Sequence, residues 1–225
     1  MCRISSKKKR AKSGKQQVLF DYRAVSDLLS IFSSHFSLDN VNKGKSFFQG
    51  MVGKRVFSDM INMCDWGSMK YGNLSRIYDS EGTKTMKTRL INKGVLKGFV
   101  SDITSGKGNS TGNCSSMSAK PSVGLSNLVL SDGKSNFKEF IDNFSGVYVV
   151  DMMGVHTANP ISGDFSLNAS SAFLVKKGVI MPLKSFMLSG NAFETFKKVS
   201  RVFNGKRQIG KYVCPRIVTE VDVIA

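Results

Sequence analysis

Two segments built to one design constrain this chain most. Arg89-Leu90-Ile91 and Val95-Leu96 flank Asn92-Lys93-Gly94, and Ala172–Val175 and Val179-Ile180-Met181 flank Lys176-Lys177-Gly178. In each, two runs of strand-forming residues are joined by a short polar turn ending in glycine. That residue reaches the positive φ needed to reverse the chain, so each segment predicts a bulged antiparallel hairpin. Gln16–Phe20 and Val147–Val150 also read as strands, and Ile217–Ile224 alternates in the manner of a strand with one wet face. Helical spacing occurs in three places. Val25, Leu28, Leu29, Phe32 and Phe36 follow the potential cap Asp21 and predict a helix over 21–37, with His35 at its end beside the C-terminal dipole. Phe137, Phe140, Ile141 and Phe144 predict a second helix behind Ser135 or Asn136, and Phe193, Phe196 and Phe203 a third over 191–203. Strands and helices do not alternate regularly, so the expected class is α+β.

The 16 phenylalanines among 225 residues supply a core and rule out wholesale disorder. No apolar run approaches the roughly 18 residues of a membrane helix, and no apolar segment follows the basic N-terminus as in a secretory signal. Cys2, Cys64, Cys114 and Cys214 lie far apart without CxxC spacing, which fits reduced thiols. The expectation is a cytoplasmic protein without a membrane partner.

Net charge is +17, and Arg3, Lys7, Lys8, Lys9, Arg10, Lys12 and Lys15 place seven cations in the first fifteen residues without one acid. This segment, 1–15, is expected to be a disordered basic leader, with residues 16–225 forming the folded domain. An anion- or nucleic-acid-binding arm is the alternative. It is disfavoured because aromatic residues do not interleave with the cations as a single-strand binder requires.

Familiar catalytic patterns are missing. Gly44-Lys45-Ser46 and Gly133-Lys134-Ser135 lack the glycine of a phosphate-binding loop, and the Gly/Ser/Asn-rich stretch 105–118 is a loop without GxGxxG order. No Gly-x-Ser-x-Gly elbow and no HExxH exist, and His35 and His156 are the two histidines. Asp79 and Glu81 are neighbours on a turn, and Cys214 beside Pro215 reads as a packing position. Composition and spacing argue against an autonomous enzyme.

A larger pattern does exist. Gly146-Val147-Tyr148-Val149, Gly154 and Asn159-Pro160-Ile161-Ser162-Gly163-Asp164-Phe165-Ser166 are followed by Val175-Lys176-Lys177-Gly178, Pro182-Leu183 and Leu188-Ser189-Gly190-Asn191. Upstream stand Tyr78-Asp79-Ser80-Glu81-Gly82-Thr83, Gly94-Val95-Leu96-Lys97-Gly98 and Ser110-Thr111-Gly112-Asn113. Together they resemble the C-terminal domain of the TldD/PmbA family, in order and spacing from about residue 17 to the C-terminus. The resemblance implies strongly curved antiparallel sheets with helices packed outside. It also implies that the family's N-terminal domain is absent from this sequence.

In that family, TldD-type members carry HExxxH on the first helix of this domain and a later metal-binding cysteine, whereas TldE-type (PmbA) members lack these ligands and pair with a TldD partner. Here Tyr22 and Asp27 fall where the histidines would be, Arg23 falls where the glutamate base would be, and Cys214 is displaced from the cysteine position. A guanidinium cannot act as a base at neutral pH and repels a dication. The resemblance therefore implies a TldE-like, non-catalytic subunit of a metallopeptidase assembly, without a cofactor of its own, zinc being expected in a TldD-type partner. It implies further that His156, Asn159, Gly163, Asp164, Phe165 and Ser166 line a channel for an unfolded peptide, although a structural turn is an equal reading of Gly163–Ser166. Association with a HExxxH-bearing chain or with a second copy is expected, through an exposed apolar patch drawing on residues such as Met60, Met63, Met69, Met152 and Met153. A nucleic-acid-binding module and a metallopeptidase in its own right are the competing functions.

Overall fold

The computed structural model describes residues 8–116 and 121–225. In chain order its strands are β1 (Gly14–Phe20), β2 (Met63–Trp66), β3 (Lys87–Asn92), β4 (Val95–Leu96), β5 (Cys114–Ser116), β6 (Ser122–Val123), β7 (Leu128–Leu130), β8 (Ser145–Met153), β9 (Asp164–Lys176), β10 (Val179–Pro182), β11 (Phe186–Asn191), β12 (Arg201–Val202), β13 (Arg207–Ile209), β14 (Tyr212–Cys214) and β15 (Ile217–Ile224). The helices are α1 (Tyr22–Phe32), α2 (Leu38–Asn42), α3 (Phe137–Asn143) and α4 (Ala192–Lys197). The class is α+β, as expected.

Strands β1, β8, β9, β11 and β15 are hydrogen-bonded in that order, and β15 pairs again with β1, so the sheet closes on itself. One pairing in the ring, β1 with β8, is parallel. A second sheet runs β13-β14-β7-β2-β3-β4, and β5 pairs with β6. Helix α1 buries Tyr22, Ala24, Val25, Leu28, Leu29, Ile31 and Phe32 and packs against β8, β13, β14 and α4, which joins the two sheets around one core. At its end Phe32 meets Phe57, Phe193 and Phe196 with ring centroids 5.4, 5.7 and 5.0 Å away, and Phe36 lies tilted against Phe48 at 5.0 Å. Much of the phenylalanine content is spent here, where tilted and edge-on rings add to their area burial. The outer face of the ring is covered by α3, through Phe137, Phe140, Ile141 and Phe144 packed with Leu19, Val175, Phe203 and Val218.

Both predicted hairpins form. Lys93 and Gly94, and Lys177 and Gly178, all have positive φ, which makes each a two-residue type I′ turn with no bulge. The first helix ends five residues before its predicted limit, and Ser33–Phe36 tightens into a 3-10 turn. Ser26, Ser30 and Ser33 each turn their hydroxyl back to the carbonyl three residues earlier, a local bond that competes with the helix. The third helix stops at Lys197, because Ser200 donates to the Val218 carbonyl, β12 joins β15, and Phe203 enters the cluster with Phe137 and Phe140. Strand pairing overrides the helical spacing there. Likewise the polar 105–118 stretch contains β5, and its residues 117 and 118 lie outside the described residues.

The leader expected over 1–15 requires correction within residues 8–15. Lys9 donates to the Pro182 carbonyl and accepts from Lys184 N–H at 2.9 and 2.7 Å, and Gly14 and Lys15 already pair with Val223 and Asp222. Main-chain hydrogen bonds, indifferent to side-chain charge, dock this segment. Residues 1–7, with the rest of the leader and Cys2, lie outside the described residues.

Candidate functional site

Helix α1 begins where Asp21 accepts from the Tyr22 N–H at 2.8 Å. The other oxygen of Asp21 accepts from Arg216 Nε at 2.7 Å and from the Tyr148 hydroxyl. Arg216 also donates through Nη1 to the Tyr22 hydroxyl at 2.8 Å. Its guanidinium carbon is 4.2 Å from the Tyr22 ring centroid and 3.9 Å from that of Phe137, while Arg207 approaches Tyr22 at 5.0 Å. The side chains of Arg216 and Asp21 are only 17% and 13% exposed, so the pair is far less screened than a surface ion pair. A cation clamped between two rings thus occupies the start of the helix. Burial, then the hydrogen bond to Asp21, pushes the Tyr148 phenol far above its usual range.

Arg23 points to solvent from the same turn. Asp27, on the next, has its carboxyl pushed up to about 6 by burial and then by Asp151, against the pull of Arg23. Cys214 is fully buried and donates to the Tyr22 carbonyl at 3.4 Å, and burial together with the carboxylates of Asp21 and Asp27 pushes its thiol up to about 12. The displaced cysteine therefore lies against the first of the three helix positions, a proximity hidden by the proline-adjacent spacing.

The Asn159–Ser166 segment is a hydrogen-bonded turn. Asn159 Oδ1 accepts from the N–H groups of Ile161 and Ser162, its carbonyl accepts from Gly163 N–H, and its own N–H donates to the Asp164 carbonyl. Asn191 Nδ2 donates to Asp164 Oδ1 and to the Ser162 carbonyl at 2.9 and 2.7 Å, and Ser162 Oγ donates to Asp164 Oδ2 at 2.7 Å. These bonds, Asn191 first, hold the Asp164 carboxyl below its usual range. Gly163 has φ +81°, and a Cβ there would stand 2.7 Å from the Phe193 ring. Phe165 is buried, whereas His156, Asn159, Asp164 and Ser166 are exposed.

His35 was missed as a participant. It is buried in the 3-10 turn that follows α1 and ties that turn to the Asn159–Ser166 segment, its Nδ1 accepting from Phe47 N–H at 2.9 Å. That fixes the neutral tautomer, so Nε2–H donates to the Pro160 carbonyl at 2.6 Å. Burial lowers its pKa. No spacing in the sequence announces a bond between residues 125 positions apart.

The upstream motif residues build a buried polar junction. Asp79 Oδ1 accepts from the N–H groups of Glu81 and Thr83, and its Oδ2 accepts from Cys114 N–H. Asn113 Nδ2 donates to Asp65, whose buried carboxyl is pushed up to about 6. Among the described residues one group, Glu81, Asp102 and Cys114, brings potential metal-ligand atoms within 4.8 Å of one another. The Glu81 carboxylate already accepts from Ile103 N–H, Asp102 from Ser105, and burial pushes the Cys114 thiol up. No helix among the described residues is long and apolar enough to cross a membrane.

A family model described as the PmbA/TldA metallopeptidase C-terminal domain matches residues 13–225. An uncharacterized protein of Methanocaldococcus jannaschii is 36% identical over 221 residues, covering 96% of this chain and 52% of the relative. A metalloprotease TldD homolog of Buchnera aphidicola is 32% identical over 167 residues, 71% of this chain and 34% of the relative. The crystal structure of TldE from Thermococcus kodakarensis superposes with a TM-score of 0.86 at 26% identity, covering 99% of this chain and 52% of that one. The chain thus spans about half the length, or less, of these relatives. On the family match and the shared fold, the chain belongs to the PmbA/TldD family, whose C-terminal domain it comprises.

Proposed function

We propose that this chain acts as a TldE-like, non-catalytic subunit of a TldD/TldE-type peptidase assembly, with zinc supplied by a HExxxH-bearing partner. One observation carries the reading: the Arg216 guanidinium, held by Asp21 between the rings of Tyr22 and Phe137, fills the start of the helix from which metal-binding relatives are expected to present their ligands. Around it the donor set does not fit a dication. Tyr22 offers a phenol already accepting a hydrogen bond, Arg23 a like charge and Cys214 a thiol far from ionising, which leaves Asp27 as a single carboxylate on the next turn. Tyr22, Arg23 and Cys214 thus supply neither a set of metal ligands nor the glutamate base that the resemblance assigns to this turn.

Its contribution is instead to hold an extended peptide and to complete the partner's chamber. His156, Asp164 and Ser166 face solvent and are the groups available to a peptide, while Asn159, Gly163 and Phe165 shape the turn that presents them. Elemental analysis of the purified protein should give well under one zinc per chain. About one zinc per chain, retained through dialysis as authentic sites retain it, would overturn the reading and favour a peptidase acting alone.

A further inference from the structure

Residues 67–86 form a surface that neither the helix-start cluster nor the Asn159–Ser166 turn uses. Three short segments are stitched together here: Arg76 N–H donates to the Gly67 carbonyl, Gly67 N–H to Met86, and Thr85 N–H to Ile77, with Tyr78 bridging Lys84. On these segments Ile77 (70% exposed), Tyr78 (59%) and Met86 (45%) are exposed. On the adjoining turn Tyr71, 87% exposed, is held at φ +61° with the Lys70 ammonium 5.1 Å from its ring, and Leu74 is exposed beside it. A recess of about 360 Å³ opens among Ser68, Ser75, Arg76, Ile77, Lys84 and Thr85. Arg76 lines it, and among the described residues its Nε–H is buried without a hydrogen-bond acceptor, although the Asp65 carboxylate lies close enough to feel its charge.

Cations predominate among the exposed charges of this surface. Lys70 and Lys84 are exposed on it, and Arg76 is half-buried. Of the two acids in the segment, Asp79 is buried under three backbone N–H groups and Glu81 is tied to Ile103 N–H. Exposed apolar side chains of this size, rimmed by exposed cations, mark a binding surface. A second copy of a chain of net charge +17 would bring like charges together. Single-stranded nucleic acid would satisfy the cations and the tyrosines but leave Leu74, Ile77 and Met86 without an apolar complement.

We infer that the 67–86 surface docks a partner protein chain through an acidic, apolar segment, with a carboxylate seated in the recess on Arg76 and Lys84 and aliphatic side chains laid on Ile77, Tyr78 and Met86. The inference rests on the proposed subunit reading only for the partner being a protein. The test is fluorescence anisotropy with a labelled short peptide of alternating Glu and Leu, set against a Lys/Leu peptide and a labelled single-stranded oligonucleotide. The Glu/Leu peptide should bind, the Lys/Leu peptide should not, and Lys84→Glu and Ile77→Asp should each weaken binding by about tenfold or more. Both side chains are exposed, so unchanged melting temperatures should show that the variants fold. No binding of the Glu/Leu peptide, binding unaltered by both variants, or stronger binding of the oligonucleotide would each overturn the inference. None of these results bears on the zinc content, which tests the subunit reading separately.

Discussion

Asp27, on α1, and His35, in the 3-10 turn that follows it, respond to pH in opposite senses. For His35 the fold lowers the pKa, so the unfolded chain takes the proton more readily. Its stabilisation is complete above about pH 6.5 and is lost as pH falls toward the folded value. Asp27 is raised to about 6, so ionising it costs the fold stability as pH rises from about 3.8 to 6. Asp65 behaves in the same way, and a whole-protein stability profile therefore blends opposing terms. Single substitutions separate them. Asp27→Asn should raise the melting temperature at about pH 8 and leave it almost unchanged near pH 3.5, where both chains carry a neutral side chain. His35→Gln should destabilise at about pH 8 and progressively less at lower pH, because Phe47 N–H and the Pro160 carbonyl lose a fitted partner only where the histidine was neutral. Neither behaviour was legible in the sequence, since burial and partners such as Asp151 and Pro160 come from distant segments.

At the scale of elements, local chemistry was legible and its limits were not. The Asp21 cap, both glycine-closed hairpins, the Asn136-capped α3 and the extent of β15 follow from neighbouring residues, and all are found. The early ends of α1 and α4 depend on what lies beside them, which no window along the chain contains. The two hairpins also differ in a way their shared sequence design hides. A Cβ at Gly94 would lie 2.3 Å from the Phe57 carbonyl oxygen, whereas at Gly178 the nearest atom, a carboxylate oxygen of Asp142, is 3.4 Å away. Gly178→Ala should cost little more than the left-handed backbone strain, ~1 kcal/mol. Gly94→Ala should cost at least ~2 kcal/mol beyond that, because backbone must move to admit it. Denaturant titration of the two variants checks the order. Of the methionines expected in an exposed apolar patch, Met60 and Met153 are exposed while Met63 and Met152 are buried in the core. A run of exposed apolar side chains, Tyr71, Leu74, Ile77, Tyr78 and Met86, lies on 71–86, which spacing alone did not single out.

For the molecule as a whole, the closed sheet is the feature least visible in the sequence, because β1 meets both of its ring neighbours across most of the chain's length. Docking of residues 8–15 follows from the same closure. Deleting residues 1–15 removes the Lys9 bonds and the Gly14 and Lys15 pairs, and should lower the melting temperature by roughly 2–4 °C for each kcal/mol lost. An unchanged melting temperature would mean that this segment adds nothing to the ring. Closure also has a consequence for biosynthesis. During translation β1 emerges first and β15 last, so the strand that must seal the ring is made when nearly everything else is already waiting. Until then β1 and β11 each present an unpaired edge, and the pairing that ends the wait is among the most non-local in the chain, the kind that slows folding. A growing polypeptide of this design must therefore be sheltered from edge-to-edge aggregation until its final strand leaves the ribosome.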